Sequence, residues 1–378
     1  MNKTLSRIRD IANRTSRVLL NEPTRKKVVE TYYASKAARL NRGAAFAPHT
    51  GKDLIDWRAT LSYRIVCSRG VYRGNCFYGA AYWMQRYAGV ETALKSCIEH
   101  GVYFGNYVNE AELDKSGLPC LITFGPSRVA HVTEVSDVPV VPVGPYIAYA
   151  SDYLSIEEAN VLKASLGSVL LVFPSHSVDR VQVNFETDDL ITEIKRVSLA
   201  NKIDRVLVCL YYRDILNGTA KAYEEQGFTV VTAGYREDVL FLSRLRSLIS
   251  LADLTMSNSV GTHVGYCAFL GKPHYVYNQD KRYTAVASVD AAEFNNPYRR
   301  LAEQEKAEVV LAFNPFEKNQ KSIDDVCNYY WGFHNVLTDS QMAELVDLCN
   351  QAYEISPKRR QSYFRETLSS TSLGGLIG

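Results

Sequence analysis

Three stretches carry residue types that can do chemistry, and each sits where an apolar run hands over to a helical pattern. The first is Phe173, Pro174, Ser175, His176 and Ser177. An imidazole can donate to a phosphate or cycle a proton near neutral pH, and the hydroxyls of Ser175 and Ser177 add small donors beside it. The same residues also fit a plain turn around a hydrogen-bonded histidine. The second stretch runs Ser257, Asn258, Ser259, Val260, Gly261, Thr262, His263, Val264, Gly265, Tyr266. It places hydroxyl residues at the start of a helix, where unpaired N–H groups and the positive end of the dipole attract a phosphate. Gly261 and Gly265 would admit a ligand to the backbone. Simple capping by Ser257, Asn258 or Ser259 needs no ligand, but it gives no reason for His263 and the two glycines.

The third stretch is Gly234, Tyr235, Arg236, Glu237, Asp238, followed by Val239 to Leu242. Asp238 suits a nucleophile, or electrostatic support for the positive charge that builds on a sugar's anomeric carbon. It equally suits the first turn of a helix. Arg236 and Glu237 are candidates for contact with a donor sugar or phosphate. In the first half, Arg128 and His131 follow another apolar run and could face a cleft from the acceptor side.

The elements that must position these residues alternate in the second half. Strand-like runs at 169–173, 205–211, 229–232, 254–257 and 275–277 are separated by helical patterns near 187–200, 213–226, 238–251 and 260–270. That alternation predicts a doubly wound parallel sheet, which binds ligands beyond the carboxyl ends of its strands. Residues 56–150 mix short apolar runs with helical periodicity, as in a smaller α/β unit. The expected division is a basic helical segment over 1–55, an acceptor-side α/β domain over 56–160, a Rossmann-like donor domain over 161–315, and C-terminal helices with a basic tail over 316–378.

Composition narrows the class. The 378 residues are 46% hydrophobic and 22% charged, enough for two folded domains. No run approaches the roughly 20 apolar residues that span a bilayer, and no signal sequence opens the chain, so a cytoplasmic location is expected. The first 50 residues carry an excess of about eight positive charges, and Lys358, Arg359, Arg360 and Arg365 lie near the end. These segments are expected either to contact the inner face of the cytoplasmic membrane or to be solvated, and the tail could be disordered. A net charge of +2 gives no global field for nucleic acid. The eight cysteines include no CxxC pair and read as reduced core thiols. Asp188/Asp189 and Asp324/Asp325 read as helix starts rather than metal ligands. Neither metal nor cofactor is expected, and the absence of G-x-G-x-x-G after any strand argues against a dehydrogenase.

Taken together, the loop at 173–177, the segment at 234–242 and the segment from 257 to 277 resemble the donor half of GT-B glycosyltransferases from bacterial surface-polysaccharide synthesis. The likeness is most specific to retaining Kdo transferases that use CMP-Kdo. It implies an α/β fold of GT-B type: two Rossmann-like domains facing a cleft, with helical N- and C-terminal extensions. It also implies a nucleotide-sugar donor, a glycan or glycolipid acceptor of lipopolysaccharide or capsule, and Asp238 as the nucleophile. The nucleotide and its phosphate would fall to Ser175, His176, Ser177, Ser257, Asn258, Ser259, Gly261, Thr262 and His263. A transferase of UDP- or GDP-sugars or of phosphopolyols remains an alternative. So does a non-catalytic protein that binds a nucleotide or a glycan in an assembly.

Overall fold

The computed structural model describes residues 50–67, 71–108, 117–177, 181–285, 298–314 and 322–376, with isolated positions at 24, 28, 31, 35 and 113. Of the basic segment expected over 1–55, only 50–55 and Thr24, Val28, Thr31 and Ser35 fall within them. Those four positions are helical and exposed.

Two parallel sheets carry the architecture. The first contains β1 (Cys97–Ile98), β2 (Leu121–Thr123) and β3 (Val140–Pro142) in that order. The second is built from β4 (Val169–Phe173), β6 (Arg205–Cys209), β7 (Thr229–Val231), β8 (Leu254–Ser257) and β9 (His274–Val276). Its order is β7-β6-β4-β8-β9, with every pairing parallel. A separate antiparallel pair joins β5 (Val181–Asn184) to β10 (Arg282–Ala285). This is an α/β fold of two Rossmann-like units, and a cavity is lined from both of them.

The helices follow from the covering these strands need. In chain order they are α1 (Gly51–Leu54), α2 (Trp57–Leu61), α3 (Ala80–Tyr87), α4 (Pro126–Thr133), α5 (Ile156–Leu166), α6 (Thr187–Ala200), α7 (Tyr212–Leu216), α8 (Ala220–Glu224), α9 (Phe241–Leu251), α10 (Thr262–Phe269), α11 (Tyr298–Ala312), α12 (Ile323–Trp331), α13 (Asp339–Glu354) and α14 (Arg360–Leu368). β4 is apolar along its whole length because both of its faces are covered. Leu170 and Val172 join a cluster with Leu190, Ile194 and Val197 of α6. Val169, Leu171 and Phe173 point the other way, into a core shared with Leu245, Leu248 and Ile249 of α9. The period of two along a strand thus sorts one sequence run into two layers.

That second core continues into the first unit, so the two sheets share one apolar interior from Leu54 to Leu373. The C-terminal helices return to the first unit rather than trailing away. Phe364, Leu368 and Leu373 are fully buried. The backbone N–H of Lys95 donates to Asn350 Oδ1 of α13 at 3.2 Å. Two of the basic residues proposed for a membrane surface bond back onto the fold. Arg360 donates to the carbonyls of Gly117 (2.8 Å) and Ile355 (3.1 Å), and Arg365 donates to the carbonyl of Asp137. The idea of a disordered tail is therefore corrected: apolar residues spaced along α14 give it a buried face. No helix among the described residues is long and apolar enough to cross a membrane.

Gly265 is explained by packing. A Cβ there would lie 2.2 Å from Cγ of Trp331, whose side chain is fully buried. The glycine lets α10 press against α12, which fixes where the first turn of α10 lies. Gly265→Ala is expected to lower stability by about 1–3 kcal/mol, the usual cost of overpacking, measured as a shift in the urea midpoint at unchanged slope.

Candidate functional site

The carboxyl ends of β4 and β8 are neighbours, and the chain leaves them toward opposite edges of the sheet: β4 leads on to β6, β8 to β9. A crevice opens where such connections part. The loops that follow, 174–177 and 258–261, are the two sequence candidates, and they interlock. The backbone N–H of Ser175 donates to Asn258 Oδ1 at 2.6 Å. Ser175 Oγ lies 2.9 Å from the same oxygen and 2.8 Å from Ser259 Oγ. Asn258 Nδ2 donates to Gln279 Oε1 at 3.0 Å.

Gly261 forms the N-cap of α10, and no side chain caps the helix. None of the three candidate capping residues does so. Ser257 Oγ instead donates to the Ser259 carbonyl at 2.8 Å and meets His274 Nε2 at 3.0 Å. Ser257 and Asn258 are fully buried. They shape the loop rather than present themselves to a ligand. Without a side-chain cap, the positive end of the α10 dipole falls at Gly261, Thr262 and His263, which line the crevice.

A cavity of about 430 Å³ occupies this crevice. Ser175, His176, Ser259, Gly261, Thr262 and His263 all line it. Opposite them stand Tyr78, His100 and Tyr103 from the first unit. The two walls touch where the N–H of Val102 donates to Thr262 Oγ1 at 3.0 Å. His100 follows β1, and the Tyr103 hydroxyl lies 3.2 Å from its Nδ1 and 3.1 Å from its Nε2. Tyr78 holds a left-handed backbone, φ 59°, which a tyrosine adopts only under constraint. Its N–H donates to the Arg236 carbonyl at 2.6 Å, and its ring packs on Phe241.

The remaining candidates are not cavity-lining. Ser177 is buried, and its N–H donates to the carboxylate of Asp214, whose pKa burial pushes up. Arg236 lies over Phe77 at 4.1 Å and pairs with Glu237 at 3.2 Å. Asp238 is fully buried. Its Oδ2 accepts from Arg244 at 2.8 Å, and its Oδ1 accepts from the N–H groups of Ile65 (3.3 Å) and Leu240 (3.0 Å). The carboxylate is anchored by these bonds and does not line the cavity. Arg128 pairs with Glu99 at 2.6 Å inside the first unit, and His131 meets Glu305 at 2.7 Å. Both carry carboxylate partners, and neither lines the cavity.

Residues that the sequence did not single out complete the site. Lys281 follows β9 and Lys306 lies on α11. His100 escaped notice because β1 is two residues long and no apolar run announces it. Its signal was positional: a histidine just beyond the carboxyl end of a parallel strand. His263 stacks on Phe173, with ring centroids 5.1 Å apart, and its Nε2 is buried without a partner. Burial, with His176 nearby, depresses its pKa to about 3, against a weaker opposing contact with the Ser259 carbonyl. His274 is depressed in the same direction by burial and by His263.

Two outcomes are expected from this geometry. Asp238→Ala leaves Arg244 buried without its counter-ion and is expected to cost about 3–5 kcal/mol in urea unfolding. A purely catalytic aspartate would leave stability unchanged. For the histidines, the unfolded imidazole protonates as pH falls through 6.5, while folded His263 stays neutral down to about 3. Stability is therefore complete above pH 6.5 and is lost on acidification, by about 1.4 kcal/mol per pH unit for each such histidine. His263→Phe should flatten that slope by about one proton in unfolding measured between roughly pH 6.5 and 4.

No family model matches the chain, and no curated protein matches its sequence. Solved structures that overlay on it include the S. aureus MnaA–UDP co-structure, at 8% identity and a TM-score of 0.36 over 71% of this chain and 70% of that one. The wall teichoic acid polymerase TagF overlays at 13% identity and 0.32, covering 73% and 68%. TarM does so at 12% and 0.26, covering 74% and 50%. Likenesses this slight carry no statement about what this chain binds or does.

Proposed function

We propose that the protein is a glycosyltransferase that takes a nucleotide-activated donor in the cleft between its two sheets. The observation that carries this reading is the uncapped N-terminus of α10, opening at the switch point onto a cavity whose facing wall holds a histidine. The first supplies an anion site for the donor's phosphate and the second a group that accepts a proton. His176, Ser175 and Ser259 flank the phosphate site.

The arrangement supports a single displacement. His100, oriented by the Tyr103 hydroxyl, takes the proton of an acceptor hydroxyl as its oxygen bonds to the anomeric carbon. The bond from that carbon to the phosphate oxygen breaks, and its electron pair leaves on a phosphate held at α10. This course inverts the anomeric configuration. Retention through Asp238, drawn from the resemblance to Kdo transferases, receives no support from a carboxylate buried against Arg244. A glycan or glycolipid acceptor suits the aromatic wall of Tyr78, Tyr103 and Phe241.

The reading is tested by calorimetric titration with CMP, UDP and GDP, followed by donor turnover with the sugar nucleotide that matches the binder. At least one nucleotide should bind, with affinity weakened by His176→Ala and by Ser259→Ala. His100→Gln should lower kcat by about 10²–10⁴-fold with nucleotide affinity unchanged. If no nucleotide binds, the donor cleft is refuted; if His100→Gln turns over at the native rate, the assigned base is refuted.

A further inference from the structure

The wall of the cavity that faces α10 is carried by the loop at 99–107, of which His100, Val102 and Tyr103 line the space. Glu99, one residue before His100, is fully buried and does not line it. The N–H of Glu99 donates to the Ile122 carbonyl at 3.0 Å, which continues the pairing of β1 with β2. Successive side chains of an extended chain leave on opposite sides, so fixing Glu99 fixes the side on which His100 emerges.

The carboxylate of Glu99 is held from two elements. Thr123 Oγ1, at the end of β2, donates to its Oε2 at 2.6 Å. Arg128 of α4 grips it with both edges of its fork, Nη2 donating to Oε1 at 2.6 Å and Nε to Oε2 at 3.1 Å. The same guanidinium reaches the far end of the loop, where Nη1 donates to the carbonyls of Gly105 at 3.3 Å and Tyr107 at 3.2 Å. Its central carbon lies 5.3 Å from the ring centroid of Tyr103, whose hydroxyl meets the ring of His100. One side chain thus holds both ends of the loop and the aromatic ring between them.

A buried ion pair adds little net stability over an apolar pair of the same volume, so stability gives no reason for these two charges. Geometry does. A guanidinium is planar, with five donors at fixed angles, and serves a carboxylate and two carbonyls at once; an ammonium carries the same charge on one atom and cannot span them. Resting on the reading of His100 as the base, we propose that Arg128 is its positioning residue. Through Glu99 and Tyr103 it sets the direction of the imidazole without touching the reacting atoms.

The test compares the native full chain with Arg128→Lys, and with Glu99→Gln combined with Arg128→Gln, which removes both charges together and strands neither. Histidine ring-nitrogen signals are read by NMR, that of His100 being identified by its loss in His100→Gln. In Arg128→Lys the His100 signal should shift or broaden while that of His176, on the opposite wall, stays in place. With the sugar nucleotide that the protein turns over, kcat should fall about 10–100-fold at unchanged nucleotide affinity, the loss that a misplaced catalytic group brings. In a His100→Gln background the same substitution should cost less than about threefold more, because residues that act through one group are not additive. A merely structural role would move nucleotide affinity together with kcat and would multiply with His100→Gln. An unmoved His100 signal, or native kcat in folded Arg128→Lys, overturns the proposal and leaves the base standing. Native turnover by His100→Gln refutes the base and the proposal with it. If Arg128→Lys does not fold, the doubly neutral protein is read in the same way.

Discussion

The side chain of Asn258 holds the switch point of the second sheet together. Its amide oxygen takes the backbone N–H of Ser175 from the loop after β4, its amide nitrogen reaches Gln279 beyond β9, and its carbonyl anchors Lys281. An amide is suited to this because it is donor and acceptor at once and carries no charge into a buried place. The loop conformation follows from these bonds. With Asn258 turned inward and Ser257 bonded back to the Ser259 carbonyl, Gly261 is left to begin α10 without a cap.

The opposite wall depends on a second buried arrangement. Asp238, paired to Arg244, receives the N–H of Ile65 from the first unit. The segment around it seats the turn at 73–79: Tyr78 bonds the Arg236 carbonyl, Trp83 bonds the Val239 carbonyl at 2.7 Å, and Gly79 fits where any Cβ would meet Val239 O at 2.4 Å. A buried ion pair contributes little net stability, yet removing one partner is costly. Its effect here is to fix geometry around Tyr78, which lines the cavity with its backbone in a left-handed conformation.

Within the cleft, burial assigns the electrostatic roles. The histidine in the first turn of α10 is held neutral, so the positive field there comes from backbone dipoles and the lysines rather than from an imidazolium. His100 belongs to the facing wall, where an acceptor would approach. Under the proposed function, charge to hold a leaving phosphate and a base to activate a hydroxyl would sit on separate walls, which the Val102–Thr262 bond joins.

The sequence by itself determined the second sheet. Uninterrupted apolar runs such as Val169–Phe173, separated by helical periodicity, have few alternatives to buried parallel strands, and each strand was legible to within two residues. The loops after β4 and β8 were legible for the same reason, because their place at strand ends follows from local order along the chain. The tertiary structure alone decided which polar side chains remain available. Arg128 and His131 looked free until Glu99 and Glu305 came to meet them, the latter from 174 residues away. Asp238 read as a nucleophile or as a helix-start carboxylate, and only folding set it, buried, against Arg244. His100 and Lys281 gained meaning only when distant segments met at one cavity. Spacing along the chain fixes periodicity, but the consumption of a charge or a hydrogen bond depends on partners that only folding brings within about 3 Å.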